Sequence, residues 1–193
     1  REIPTATARF ARSGDFAPGR WNAKFSIAAN DFQRDLLLPP LLGRLRTQAP
    51  GVKLRVIPSN VPGLEMLRDE QCQLVISPRP PDGADILQKR LFEDEHRVYY
   101  DAAERPPPET LADYMAADHV TVVYEPQRAL DMDQWMLKNG VQRRFVATVP
   151  GFAGLASFVR GSDLLATAPL RLQSHLLRGL ATAKLPINCP PMP

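Results

Sequence analysis

The fold is decided by residues 25–59, which read FSIAANDFQRDLLLPPLLGRLRTQAPGVKLRVIPS. Residues 25–30 form a short apolar run that predicts a strand, and Asn30 and Asp31 are residue types that favour the start of a helix. Apolar residues then recur at steps of one, three and four up to Ala49, which is the spacing of an amphipathic helix. Residues 52–59 alternate apolar and basic side chains, which predicts a strand at a sheet edge. This stretch therefore predicts a strand–helix–strand unit.

Pro39 and Pro40 interrupt the helical pattern of that unit. A proline lacks the backbone N–H and its ring clashes with the preceding turn, but neither cost applies in the first turn of a helix. We therefore expect a short first turn, a kink, and a main helix that begins at the two prolines and ends at Pro50 and Gly51.

The same alternation continues along the rest of the chain. Residue patterns predict strands at 73–78, 119–124, 144–149 and 163–168, an extended stretch at 86–100, and helices at 64–70, 109–117, 130–139, 152–160 and 170–178. Strands that alternate with helices over short connections predict an α/β fold with parallel sheets and right-handed crossovers. The prolines at 106–108 mark the start of a second lobe, and two lobes enclose a cleft.

Composition excludes several classes of protein. The 193 residues carry 24 Lys and Arg against 21 Asp and Glu, with the signs mixed along the chain, so no basic stripe predicts a nucleic-acid surface. No apolar run approaches the roughly 18 residues that cross a bilayer. Cys72 and Cys189 are too few and too far apart for a disulfide framework or a metal site, and we expect two reduced thiols.

The sequence offers little catalytic chemistry. It contains no G-x-S-x-G elbow, no phosphate-binding G-x-x-x-x-G-K-[ST] and no G-x-G-x-x-G motif. His96, His119 and His175 fall in different predicted elements, and no pair of them has the spacing of metal ligands. We predict that the chain is not an enzyme and holds no metal or cofactor; turnover that depended on His119 would reverse that interpretation.

Binding groups are better represented, at the carboxyl ends of the predicted strands. In open α/β sheets, ligands bind at these ends, which selects the loops at 29–32, 59–61, 77–79 and 150–152. Each polar residue there has two interpretations. Asn30 and Asp31 either cap a helix or contact a ligand, and Arg79 either pairs with a carboxylate or lies on the surface. Phe152 either forms a pocket wall or packs in the core.

Five segments carry a family resemblance: FSIAAND at 25–31, LLLPPLLGRLRTQAPGVKLRVIPSN at 36–60, LRDEQCQLVIS at 67–77, RRFVATVPGF at 143–152 and GSDLLATAPLRL at 161–172. In this order and spacing they resemble the effector-binding domain of LysR-type transcriptional regulators, over nearly the whole chain from about residue 21. Within that family the chain looks most like the branch that includes regulators of aromatic catabolism and nodulation.

The resemblance implies two Rossmann-like lobes with a central cleft, like a type 2 periplasmic binding protein. Lobe I would comprise residues 21–95 and 168–193, and lobe II residues 96–167, joined by crossover strands near 97–101 and 165–169. Residues 1–20 would be the end of a linker. The winged helix-turn-helix that reads DNA is absent from this sequence, so DNA would be reached only through that further domain.

The resemblance, together with the strand ends, also implies which residues contact a small organic effector. These are Ala29, Asn30, Asp31, Phe32, Ser59, Asn60, Ser77, Arg79, Val149, Pro150 and Phe152. Close relatives in that branch often carry histidine where this chain has Gly151, and a histidine-containing loop where it has residues 125–127. A pocket for a carboxylate would lose a donor there, so we do not expect a simple aromatic acid as the effector.

Oligomer contacts follow from the same resemblance. Leu41, Leu45 and Arg55 would pack against the second lobe of a partner subunit, on a helix that carries Met132 and Met136. We expect a cytoplasmic homodimer or homotetramer with no membrane partner. An effector that prefers one lobe arrangement would change how the subunits pack. The alternative on the same fold is a solute-binding protein of a transport system.

Overall fold

The computed structural model describes residues 17–59, 61–124 and 128–192. The strands are β1 (Ala23–Ala29), β2 (Val52–Ile57), β3 (Leu74–Ile76), β4 (His96–Tyr100), β5 (Asp118–Tyr124), β6 (Arg128–Ala129), β7 (Arg144–Val149), β8 (Leu165–Pro169) and β9 (Ala181–Lys184). The helices are α1 (Asp31–Gln48), α2 (Glu65–Arg68), α3 (Leu111–Ala116), α4 (Asp131–Lys138) and α5 (Phe152–Val159). Short 3-10 turns occur at Pro18–Arg20 and Leu170–Ser174.

The strands form two sheets, and each sheet defines a lobe. The first sheet is parallel, in the order β2-β1-β3, and with α1 and α2 it forms lobe I. The second has the order β6-β5-β8-β4-β9, with β7 also paired to β5, and with α3, α4 and α5 it forms lobe II. The prediction that residues 52–59 lie at a sheet edge is confirmed, because β2 is an outer strand of the first sheet.

The second sheet is mixed, and the expectation of parallel sheets is wrong for it. β5 runs parallel to β7 and β8, whereas β4 pairs antiparallel with β8 and β9. β9, whose residues the predicted division assigns to lobe I, pairs with β4 at the end of this sheet. The predicted helix at 170–178 is reduced to the 3-10 turn Leu170–Ser174, and of the extended stretch at 86–100 only β4 forms a strand.

α1 is one continuous helix, so the expected break at the prolines is wrong. Pro39 and Pro40 lie inside it with exposed side chains. Each proline removes one backbone hydrogen bond, but apolar residues on both sides of the pair hold the helix to its lobe. Leu38 is buried with Ile27 in the core of lobe I, and Leu41 packs against the same core.

The two lobes share apolar contacts. Phe32, on the first turn of α1, belongs to the core cluster that fills lobe II together with Phe152 and Leu155 of α5. The Phe32 and Phe152 rings meet edge to face with centroids 6.0 Å apart. This arrangement sets the start of α1 against the start of α5, and it places the candidate site at the junction of the lobes.

Two further expectations concern the cysteines and the membrane. Both cysteines are free thiols; Cys72 is buried, and burial raises its pKa. Within the described ranges, no helix has the length and apolar character needed to cross a membrane.

Candidate functional site

A cavity of about 320 Å³ lies between the lobes. Lobe I contributes the first turn of α1 and the loops after β2 and β3. Lobe II contributes the start of β4, the end of β5 and the first turns of α4 and α5. The segment 189–192 completes the wall. The described lining residues are Asn30, Phe32, Gln33, Val61, Pro62, Ser77, Pro78, Arg79, His96, Tyr124, Ala129, Leu130, Asp131, Met132, Trp135, Phe152, Cys189, Pro190, Pro191 and Met192.

Five of the residues predicted to contact an effector line this cavity: Asn30, Phe32, Ser77, Arg79 and Phe152. Ala29, Asp31, Ser59, Val149 and Pro150 do not line it; Ala29, Ser59 and Val149 are buried behind the surface. Asn60 and residues 125–127 lie outside the described residues. The topological rule therefore selected the correct end of four strands, because each of the loops 29–32, 59–61, 77–79 and 150–152 contributes at least one lining residue; in the loop 59–61 that residue is Val61.

Arg79 and Asp131 form an ion pair across the mouth of the cleft. Arg79 follows β3 in lobe I, and Asp131 is the first residue of α4 in lobe II, where the positive end of the helix dipole also favours a carboxylate. Of the two interpretations of Arg79, the structure shows the carboxylate pair, and the carboxylate belongs to the chain itself.

Asp31 makes a second connection between the lobes. Its Oδ2 accepts a hydrogen bond from the backbone N–H of Ala153, in the first turn of α5, at 2.9 Å, and its Oδ1 accepts one from the Tyr124 hydroxyl at 3.3 Å. The pKa of Tyr124 is raised, first by burial and then by the charge of Asp31. Asn30 occupies the N-cap position of α1 without a side-chain capping bond. Asp31 is thus a contact between lobes.

Gly151 allows this approach. A Cβ built on Gly151 would lie 2.6 Å from Asp31 Oδ2, which is closer than atoms of this kind come. Any larger residue at 151 would displace the carboxylate from the first turn of α5. The glycine and the aspartate therefore form a matched pair, although they are far apart in the sequence.

The remaining polar groups of the cavity are uncharged. Burial lowers the pKa of His96, so its imidazole is largely neutral at pH 7. Gln33 is 7% exposed, and its Oε1 has no hydrogen-bond partner among the described residues. Ser77 exchanges hydrogen bonds with the backbone of Arg79, at 3.0 and 3.1 Å. The interior of the cleft thus combines aromatic and aliphatic walls with a few neutral polar groups.

A buried polar network supports α4 from beneath. Arg143 donates to Asp133 Oδ1 at 2.6 Å, and the Thr121 hydroxyl donates to Asp133 Oδ2 at 2.6 Å. Arg143 also donates to the Tyr114 hydroxyl at 3.2 Å. Because Asp133 follows Asp131 and Met132 on α4, the network fixes the helix that presents these residues to the cavity.

The predicted oligomer surface needs one correction. Met132 and Met136 are 5% and 0% exposed, because they pack in the core of lobe II, and Met132 also lines the cavity. They are not available to a partner subunit. Leu41 and Leu45 are half-buried on α1, and Arg55 is exposed on β2.

Sequence reasoning missed Gln33, His96, Trp135 and the segment 189–192. Gln33 follows Phe32 directly, so extending the first loop by one residue would have included it. Trp135 lies one helical turn beyond Asp131, a spacing that places both on one face of α4. No signal in the sequence connects residues 189–192 to a cleft formed by distant elements.

Comparison with known proteins places the chain in a family. Residues 18–193 match the LysR substrate binding domain, and the chain belongs to this family. Nodulation protein D 1 of Sinorhizobium fredii (strain NBRC 101917 / NGR234) is 29% identical over 169 residues, which cover 86% of this chain and 52% of that protein. The HTH-type transcriptional activator NagR of a Ralstonia species is 25% identical over 180 residues, 91% of this chain and 60% of that protein.

Solved structures agree with this assignment. The regulatory domain of MexT, a transcriptional activator in Pseudomonas aeruginosa, superposes with a TM-score of 0.71 at 28% identity, covering 88% of this chain and 86% of that one. A probable transcriptional regulator from the same organism has a TM-score of 0.73 at 25% identity, covering 96% of this chain and 65% of that one. The chain spans about half the length of the curated relatives it matches.

These findings confirm several predictions. The resemblance to LysR-type regulators and the two-lobed α/β fold are confirmed, and the chain is a regulatory domain of that class. The relatives are transcriptional regulators and not enzymes, as expected from the lack of catalytic groups.

Proposed function

We propose that this chain senses a small organic effector, which binds in the cavity between the lobes of a LysR-type transcriptional regulator. The observation that carries the proposal is that both lobes line one cavity in a chain of this family. A ligand there touches α1 and the β3 loop on one side and α4 and α5 on the other. Its binding energy therefore depends on how the lobes are arranged.

The lobes are held together by contacts that an effector would strengthen or break. The ion pair of Arg79 with Asp131 and the hydrogen bond from Ala153 to Asp31 both cross the cleft. An effector that fits one arrangement better shifts the population toward it, by no more than its difference in affinity for the two. We propose that this shift alters the packing of subunits and so the spacing of DNA-binding domains that lie outside this chain.

The surface that transmits the shift would include α1 and β2. Leu42 and Val56 are exposed there, beside the predicted contacts Leu41, Leu45 and Arg55. On the opposite lobe, the outer face of α4 carries Leu137, which is 62% exposed. We therefore still propose α4 as the surface that contacts the partner subunit, with Leu137 in place of the buried Met132 and Met136. A homodimer or homotetramer in the cytoplasm, with a small molecule and DNA as partners, follows from this proposal.

The proposal is tested by a thermal-shift screen of the purified chain against phenols, aromatic acids, amino acids and neutral metabolites. A ligand at 100 times its Kd adds about 2.7 kcal/mol, which raises the Tm of a chain of this size by about 5–10 °C. The cavity variant is Val61→Trp, because Val61 lines the cavity with 48% of its surface exposed and an indole there fills the mouth without disturbing the core.

Phe158→Trp is the matched control, since Phe158 is 45% exposed on α5 and does not line the cavity. The proposal predicts a ligand that stabilises the parent chain and the control but not Val61→Trp. A ligand that stabilises all three chains equally binds elsewhere and would contradict the proposal. If no compound of the panel stabilises the parent chain, the proposal is also contradicted.

A further inference from the structure

The charges of the cleft are already matched by the chain itself. Of the described lining residues, Arg79 is the one that carries a permanent positive charge, and its guanidinium is paired with Asp131. His96 is buried and largely neutral. A carboxylate effector would have to displace Asp131 and leave it unpaired at the mouth of the cavity.

A second position that favours an anion lies next to the cavity lining, and it is also filled. The first turn of a helix presents unpaired backbone N–H groups and a partial positive charge. In α5, the Ala153 N–H points to Asp31 Oδ2 at 2.9 Å, and Gly151 leaves room for that oxygen. The carboxylate of Asp31 therefore takes the position in which the carboxylate of a ligand would be stabilised.

One neutral group of the cavity lacks a partner. Four buried side-chain atoms of the described residues have no hydrogen-bond partner: Gln33 Oε1, Ser59 Oγ, His119 Nδ1 and Arg143 Nε. Of these four residues, only Gln33 lines the cavity. A buried acceptor without a donor is costly, and the last torsion of a glutamine side chain is soft. A donor on a ligand would satisfy this oxygen once the side-chain amide turns it toward the cavity.

The walls around Gln33 are apolar and aromatic. Phe32 and Phe152 meet at 6.0 Å between ring centroids, and Phe92 packs edge to face against Phe32 at 6.3 Å. Trp135 and Met132 face the same cavity from α4. Such walls bind an aromatic or otherwise flat apolar body.

We propose, on the basis of the proposed function, that the effector is an uncharged and largely apolar molecule that donates a hydrogen bond to Gln33. Asp131, which lines the cavity and pairs with Arg79, acts as the carboxylate of the cleft and selects against an anionic effector. Gln33 is the residue that determines specificity, because its Oε1 accepts a hydrogen bond only from a ligand that carries a donor. Because Asp131 and Arg79 belong to the same chain, this selectivity needs no further component.

The test compares three compounds of one shape by isothermal titration calorimetry at pH 7: 2-naphthol, a neutral donor; 2-methoxynaphthalene, which has no donor; and 2-naphthoate, an anion. The expected order is 2-naphthol first, 2-methoxynaphthalene about tenfold weaker because one hydrogen bond is lost, and 2-naphthoate weaker still. Gln33→Leu removes the acceptor, so it should reduce the affinity for 2-naphthol to that for 2-methoxynaphthalene.

The experiment on the anion uses Asp131→Ala, which frees the Arg79 guanidinium at the cavity and should strengthen 2-naphthoate binding at least tenfold. Asp35→Ala is the matched control, because Asp35 lies outside the cavity lining on α1 in an ion pair with Arg34; it should change none of the three affinities. Circular dichroism establishes that each variant is folded.

The outcomes separate the two proposals. If 2-naphthoate binds the parent chain as tightly as 2-naphthol and the binding is lost in Val61→Trp, the effector cleft stands and the neutral-donor inference is overturned. Equal binding of 2-naphthol and 2-methoxynaphthalene also overturns the inference. If none of the three compounds binds, the inference falls, and if the wider screen finds no ligand either, the proposed function falls with it.

Discussion

The ion pair between Asp133 and Arg143 holds α4 against the sheet of lobe II, and its removal is predicted to cost stability. The two side chains are 5% and 2% exposed, so water hardly screens their interaction. Asp133→Leu leaves the Arg143 guanidinium buried without its carboxylate and the Thr121 hydroxyl without its acceptor. Breaking a buried pair by removing one partner costs about 3–5 kcal/mol.

The double variant Asp133→Leu/Arg143→Met separates charge from packing. Because it removes both charges and keeps similar volumes, it should recover most of the lost free energy of unfolding. A surface pair provides the control: Arg68 and Asp85 are 51% and 55% exposed, and Asp85→Ala should melt within error of the parent chain.

The assay is thermal unfolding followed by circular dichroism, repeated in urea. A loss of about 4 kcal/mol lowers the Tm of a chain of this size by about 8–16 °C. If Asp133→Leu unfolds within about 1 kcal/mol of the parent chain, or if the double variant is less stable than the single one, the network does not support α4 in the way described.

Three further predictions follow from the geometry. Gly151→Ala should displace Asp31 from Ala153 and lower the Tm by a few degrees, and on an Asp31→Ala background it should have no further effect; an equal loss on both backgrounds would contradict the pairing. Burial lowers the pKa of His119 to about 4, so the neutral His119 stabilises the folded chain fully above pH 6.5. The free energy of unfolding should fall by about 3 kcal/mol as the pH drops to 4, because the unfolded chain then binds a proton more readily at this histidine. In urea titrations across that range His119→Gln should show a flatter pH dependence than the parent chain, and identical slopes would contradict this. Leu45→Glu on α1 should raise the dimer dissociation constant at least tenfold in analytical ultracentrifugation. Leu87→Glu should not, because Leu87 lies outside α1 and is 98% exposed. The same dissociation constant for both variants would remove α1 from the interface.

Local patterns in the sequence predicted much of lobe I. The apolar run before Asn30, the leucines of α1 and the alternation in β2 are periodic signals that need no knowledge of distant residues. The continuity of α1 through Pro39 and Pro40 could not be predicted this way, because it depends on how Leu38 and Leu41 pack in the folded core.

The site itself was only partly predictable. Chain topology located Phe32, Ser77, Arg79 and Phe152 at the cleft, because strand ends meet there. The partners of Arg79 and Asp31 come from the other lobe, and no spacing rule connects Arg79 with Asp131 or Asp31 with Ala153. Met132 and Met136 were predicted to lie at a subunit interface because the whole helix α4 was assigned to it. In the structure both side chains are buried, and this burial depends on tertiary packing that the sequence pattern does not show.

The central claim is that an effector binds between the lobes, and amide hydrogen exchange tests it most directly. The exchange of the chain is measured with and without the screening compound that stabilises it most. Binding in the cavity should slow exchange on both of its sides at once, at 31–34 and 77–79 in lobe I and at 131–136 and 152–155 in lobe II. Protection confined to one lobe, or located away from these segments, would contradict it.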